Sequence, residues 1–309
     1  MLSRLEKALS AWQPDGEWVI EPGTAGVASP HRVATEWAGF KVQKSSQHFY
    51  AKVLHEDQKP LINIEHTVNA SRAAAELGVT PQLIHADVER GVVVFAALDE
   101  RWHWATLDQL TQPQHFHNLT QILDQLHEIS VPLPTRQDAL QKLRECCERD
   151  NVRLPDELRW LGECVDLAWQ ALNQQPCSPG FIHGDPIASN WLVNDLGEWQ
   201  LLDFDHAAQG DAWYDIAVLL HERMPFDDQW REAIRAWRGE CSEADHARCR
   251  LYALIDSYYW TLWGFWSGHT SSRGLEFTKV GQWTLLRCRQ SAADPRLERW
   301  LALAAGSAA

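Results

Sequence analysis

His183, Asp185, Asn190 and Asp203 bring proton- and metal-handling side chains into one short stretch of sequence. It reads His183-Gly184-Asp185-Pro186-Ile187-Ala188-Ser189-Asn190 and continues through the apolar Trp191-Leu192-Val193. After a turn at Asn194-Asp195-Leu196-Gly197 it runs through Trp199-Gln200-Leu201-Leu202 to Asp203-Phe204-Asp205. This pattern predicts two short strands whose polar ends meet in one place. Phosphoryl transfer from a nucleotide needs an Asp to orient and deprotonate the acceptor hydroxyl, an Asn for one magnesium ion and an Asp for the metal bridging the phosphates. All three types occur here in that order. A lone H-x-D is common, because Asp often caps helices or closes turns. Here, however, Asp185 follows the apolar Phe181-Ile182 and Asp203 ends an apolar strand.

The stretch resembles the H-x-D-x-x-x-x-N catalytic loop and D-F-x metal loop of the kinase-like phosphotransferases, in the form used by aminoglycoside phosphotransferases and choline or ethanolamine kinases. The resemblance implies a bilobal, protein-kinase-like α+β fold. A small antiparallel-sheet N-lobe with one main helix would precede a larger, mostly helical C-lobe. It also implies ATP and Mg2+ as cofactors, Asp185 as the base with His183 in the same catalytic loop, and Asn190 and Asp203 as metal ligands.

On the nucleotide side, Lys52 sits inside the apolar run Phe49-Tyr50-Ala51-Lys52-Val53-Leu54, where burying its charge is costly unless an anion answers it. Similarity to the kinase strand V-A-I-K assigns Lys52 to the phosphates, and Phe95 and Ala97 to the nucleotide as well. Two features depart from the family pattern. The position that usually holds the Glu partner of the Lys is Thr67, leaving Glu65 as the partner only in a shifted register. A Glu at position 67 is expected to pre-orient Lys52 and tighten nucleotide binding. The second departure is Gly23-Thr24-Ala25-Gly26, which can offer backbone N–H groups but is not G-x-G-x-x-G.

On the acceptor side, Asp205 and Glu222 flank a Tyr214-Asp215-Ile216-Ala217 helix start, and both are candidates to line an acceptor pocket. Asp215 is expected to hold the catalytic loop by hydrogen bonds. Further on, Trp260-Thr261-Leu262-Trp263 on a helix, then Glu276-Phe277 and Trp283, resemble the choline kinase aromatic box. A quaternary ammonium has no N–H to donate, so aromatic faces hold it by cation–π contact. The function expected is a small-molecule kinase acting on the hydroxyl of choline, ethanolamine or a similar amino alcohol. The alternatives are another acceptor, such as an aminoglycoside, thiamine or a sugar, or a non-catalytic nucleotide sensor on the same fold.

These residues need two lobes to position them, and 309 residues suffice for that. Residues 17 to 98 read as strands around one Ala-rich helix, Asn63 to Leu77, stopped by Gly78. One of the strands is expected to span Arg32 to Gln43, and Val92 to Leu98 to be the last. We place the N-lobe at 1–98 and the C-lobe at 99–309, whose apolar residues recur at helical spacing. With 28 basic and 42 acidic residues the net charge is −14, which disfavours nucleic acid and anionic lipid and attracts a cationic small molecule. The seven Cys form no C-x-x-C pair and fit free thiols in a reducing cytoplasm. No apolar run is long enough to insert in a membrane. The 17 Trp need partners for their indole N–H groups, which suggests clefts and interfaces as well as core.

Overall fold

The structure, a computed structural model, describes residues 1–28, 32–175 and 179–307. The chain opens with helix α1 (Leu2–Trp12), whose Leu5, Ala8 and Leu9 share one apolar stripe. Strands β1 (Val19–Pro22), β2 (Val27–Ala28), β3 (Arg32–Val33), β4 (Trp37–Lys44) and β5 (Gln47–Leu54) follow. The run expected as one strand from Arg32 to Gln43 is thus two, because Ala34 takes a φ of 48° that extended backbone cannot hold. Next come α2 (Ile64–Glu76), β6 (Leu83–Asp87) and β7 (Val92–Ala96). Asn63 starts α2 by accepting from the backbone N–H groups of Glu65 and His66.

Five strands form one antiparallel sheet in the order β1-β4-β5-β7-β6. Alternation along β5 sorts its side chains between two faces. Phe49, Ala51 and Val53 pack with Leu5, Ala8 and Leu9 of α1. Leu54 packs on the other face with Trp37, Ile62 and Val68, and Lys52 shares its parity, which turns the ammonium away from α1.

The second half adds β8 (Trp102–Trp104), then α3 (Leu107–Thr111), α4 (Pro113–His127), α5 (Arg136–Arg149) and α6 (Leu158–Gln174). Strands β9 (Gly180–Ile182), β10 (Trp191–Asn194), β11 (Trp199–Leu201) and β12 (Ala208–Gly210) carry the chemistry-bearing stretch. Helices α7 (Trp213–Arg223), α8 (Asp227–Arg238), α9 (Glu243–Thr270), α10 (Phe277–Ala292) and α11 (Leu297–Ala304) complete the chain. The hairpin β10–β11 is joined at its edge by β8, and β9 pairs with β12. Cys177 lies outside the described residues, and the other six cysteines are free thiols. Among the described residues no helix is long and apolar enough to cross a membrane.

Helix α9 is the axis of the C-lobe, buried on every side through most of its length. It starts on a capping box in which Ser242 and Asp245 bond each other's backbone N–H. Its crossing with α10 depends on a missing side chain: a Cβ on Gly264 would lie 2.3 Å from the backbone N of Gly281. Gly264→Val should therefore force the helices apart, lowering stability by about 2 kcal/mol and the unfolding midpoint by roughly 4 °C. Calorimetry on the purified variant reads this directly. An unchanged midpoint would mean that the contact does not constrain the crossing.

Candidate active site

Three buried devices hold the loop from His183 to Asn190. Asp215, near the start of α7 and fully buried, accepts from the backbone N–H groups of His183 and Gly184 at 2.8 Å each. His127, at the end of α4, adds a 3.1 Å contact from Nε2 to the same carboxylate. Burial alone would raise the Asp215 pKa, but His127 and these N–H groups outweigh it and hold the carboxyl below its ordinary value. Glu222, two turns further along the same face of α7, accepts from the Ala188 N–H at 2.7 Å. Gly184 turns the loop at a φ of +80°, where a Cβ would collide with the carbonyl of His206.

His183 is wholly buried, and both its ring nitrogens are committed to backbone. Nδ1 accepts from the Asp185 N–H at 3.2 Å, which leaves Nε2 to donate to the Leu202 carbonyl at 2.8 Å. Burial lowers its pKa, and a ring whose Nδ1 accepts a hydrogen bond is the neutral one. His183 is therefore a positioning residue that pins Asp185 to the metal loop, rather than the proton-handling group expected from the sequence.

Asp185 is itself buried. The Asn190 amide donates to its backbone carbonyl at 2.8 Å and approaches Oδ2 at 3.3 Å. An ion pair with Arg32 takes the other carboxylate oxygen. Burial pushes the Asp185 pKa up to about 8, with Arg32 opposing and Asp256 and Glu36 adding to the rise.

Asp203 adopts the left-handed region, φ 71° and ψ 70°, a strained backbone that turns its carboxylate out of β11 toward the N-lobe. There Lys52 meets it, Nζ to Oδ1 at 2.5 Å. Burial opposes the charge on each, yet the pairing prevails: Asp203 is held down to about 2 and Lys52 is pushed up. Asp205 accepts from the indole N–H of Trp37 and, at 3.1 Å, from the hydroxyl of Thr67. Burial and the neighbouring Asp203 raise its pKa well above the ordinary value.

This geometry corrects two expectations. Asp205 belongs to the nucleotide side rather than to an acceptor pocket. Glu65 stands exposed on the first turn of α2 and does not partner Lys52, whose carboxylate is Asp203. Thr67 does lie at the place facing the metal loop, but it reaches Asp205.

A cleft of about 680 Å³ lies between the sheet and the catalytic hairpin. Lys52, Phe95, Ala97, Asn190 and Asp203 line it, together with Trp102 and Trp104. The size and the mostly apolar wall with a polar end suit a nucleotide. Asp203 and Asn190 present only oxygen donors there, since the Asn190 amide nitrogen is already bonded to Asp185, and such a donor set fits magnesium.

On the acceptor side the structure departs from an open box. Trp260 and Trp263 are 1% and 0% exposed and meet edge to face, with centroids 5.3 Å apart. Trp263 also packs on Phe277. Trp283 is 44% exposed on α10, and among the described residues no ring pair joins it to the other two. Glu222 accepts from the backbone of the catalytic loop and is not among the residues lining the cleft. One cation already sits on Trp260: the Arg32 guanidinium carbon lies 3.3 Å above its ring centroid. Nothing in the sequence marked Arg32, Glu36 or His127. Arg32 opens a run read as a strand, and the other two are single polar residues beside apolar ones.

A model of the phosphotransferase enzyme family matches residues 33–252. No curated protein matches the chain in sequence. Among solved structures, a choline/ethanolamine kinase family protein from Mesorhizobium loti is similar over 99% of this chain and 99% of its own, at 20% identity and a TM-score of 0.77. Choline kinase LicA from Streptococcus pneumoniae is similar over 95% of this chain and 99% of its own, at 15% identity and 0.75. A microcompartment-associated aminopropanol kinase is similar over 99% of both chains, at 18% identity and 0.62. At these identities the likeness establishes a common fold.

The place of Thr67 reverses the effect expected of a Glu there. Thr67→Glu would set a third carboxylate beside Asp203 and Asp205, and should weaken magnesium-dependent nucleotide binding by about tenfold. Thr67→Ser, which keeps the hydroxyl, should stay within about twofold. Calorimetric titration with magnesium and ATP measures both, and tighter binding by the Glu variant would restore the Lys–Glu arrangement.

Proposed function

The chain belongs to the phosphotransferase enzyme family, and on that premise we propose that it moves the γ-phosphoryl group of ATP to the hydroxyl of choline, ethanolamine or a similar amino alcohol. One observation carries the choice of acceptor: a cation is seated on the face of Trp260 in direct contact with Asp185. Quaternary and primary ammonium groups use the same attraction to an aromatic face. The net charge of −14 draws such molecules toward the protein.

In this reading Asp185 accepts the proton of the acceptor hydroxyl as its oxygen attacks the γ-phosphorus. The new O–P bond forms while the bond to the bridging oxygen breaks, and ADP leaves with that electron pair. Lys52 orients the phosphates from β5, and Asp203 and Asn190 are the residues that would hold magnesium. Magnesium, when bound, supplies neutralisation of phosphate charge. Asp215, His127, His183 and Glu222 act before the reaction, by fixing where Asp185 stands. Placement of this kind accounts for much of the rate in phosphoryl transfer, where the protein does little covalent chemistry.

A polycationic acceptor such as an aminoglycoside is the second reading. It is favoured by Glu36 and Asp256, two further carboxylates whose charge bears on Asp185.

Asp185→Asn should reduce transfer by about a thousandfold or more while leaving nucleotide affinity within about twofold, because the base acts on the acceptor. Asp203→Asn should lose the magnesium dependence of nucleotide binding. Single-turnover assays and nucleotide titrations over a panel of amino alcohols test both. Near-normal turnover by the Asp185 variant would remove the base assignment, and no turnover of any amino alcohol by the unmodified protein would remove the acceptor class.

A further inference from the structure

The cation on Trp260 belongs to the protein itself. Arg32 comes from the short β2–β3 hairpin, yet its side chain is only 8% exposed. Its guanidinium pairs with Asp185 and sits over the Trp260 ring at van der Waals distance. Burying a guanidinium is costly unless a charge partner and a polarisable face answer it, and both do here. Its Nε nevertheless remains buried with no hydrogen-bond partner, and so does the indole N–H of Trp260 among the described residues.

The same placement is incompatible with an acceptor in the seat. A hydroxyl must come within hydrogen-bond reach of a carboxylate oxygen of Asp185 to be deprotonated. One of those oxygens is held by Arg32 and the other is approached by the Asn190 amide. The face of Trp260 cannot hold a second cation while the first lies 3.3 Å from its centroid.

We propose that Arg32 is an internal stand-in for the acceptor's cation, occupying the seat on Trp260 and Asp185 until a cationic acceptor replaces it, and thereby determining acceptor specificity. This rests on the reading of the chain as a kinase of cationic alcohols. Exchange of one cation for another leaves the charge around Asp185 balanced. A neutral alcohol entering the same seat would leave a buried carboxylate without a charge partner, which is strongly unfavourable. Arg32 therefore filters by charge. While seated, it also keeps water from Asp185, so that ATP is not spent on hydrolysis when no acceptor is present.

The test uses Arg32→Met and Arg32→Ala, with magnesium–ATP affinity as the check that each is folded. Removing the competing cation should lower the KM for choline by about thirtyfold, the size of one desolvated cation–π contact. Acceptor-free hydrolysis of ATP should rise by a comparable factor. Methylguanidinium added to Arg32→Ala should refill the seat, returning hydrolysis toward the unmodified level and competing with choline. A variant that fails to fold is replaced by Arg32→Lys, which keeps the charge but not the guanidinium and should move KM and hydrolysis in the same directions by less. A raised KM or a lowered kcat with hydrolysis unchanged would overturn the proposal, making Arg32 a contact of acceptor or phosphate. If the unmodified protein phosphorylates no amino alcohol, the acceptor reading fails by itself. The stand-in is then judged on hydrolysis alone: a rise reversed by methylguanidinium supports it, and no rise overturns it.

Discussion

The carboxylates of Asp203 and Asp205 are where the two halves of this chain are joined. Two adjacent acids in a buried place repel each other and resist ionisation unless donors surround them. The donors come from three separate elements of the N-lobe: Lys52 on β5, Trp37 on β4 and Thr67 on α2. The left-handed turn at Asp203 aims the pair at those donors. The cleft then follows from geometry, since Lys52 and Asp203 fix one end of the space that the sheet and hairpin enclose. With Thr67 at the α2 position, the helix is tied to the metal loop instead of to the lysine.

Behind that junction the catalytic loop is held by groups that never face the cleft. Asp215, His127, His183 and Glu222 hold it through bonds to its backbone or to one another. Each is buried or nearly so, where a hydrogen bond is hard to replace by water and its loss leaves an orphaned group. For the base role proposed for Asp185 this rigidity matters, because a base that drifts by an ångström loses most of its advantage.

The tryptophans divide between the cleft, which Trp102 and Trp104 line, and the core. Trp191 donates to the Pro186 carbonyl at 3.0 Å, Trp230 to that of Met224 at 2.7 Å and Trp266 to Asp150 at 2.7 Å. These indoles are core residues whose N–H groups tie segments together. Aromatic faces are covered from within by the protein's own arginines, Arg32 on Trp260 and Arg136 on Tyr259 among them. An aromatic pair three residues apart on a helix predicts a common face, as Trp260 and Trp263 share. It does not predict that the face is open, because the covering group comes from elsewhere in the chain.

The order and spacing of His183, Asp185, Asn190 and Asp203, the alternation around Lys52 and the capped amphipathic helices were determined by the sequence alone. Each depends on local periodicity and on side chains within a few residues of one another. The tie of Asp215 to the loop was expected too, but from the resemblance of Tyr214-Asp215-Ile216-Ala217 to a family segment rather than from spacing. Only the tertiary structure decided that Lys52 pairs with Asp203 rather than Glu65, that Thr67 bonds Asp205, that His183 is a pin and that Arg32 fills the seat beside Asp185. Those partners are separated by 151 residues for Lys52 and Asp203, 138 for Thr67 and Asp205, and 153 for Arg32 and Asp185. Contacts at such separations are set by how the lobes close on each other. No repeat, propensity or spacing along the chain carries that information.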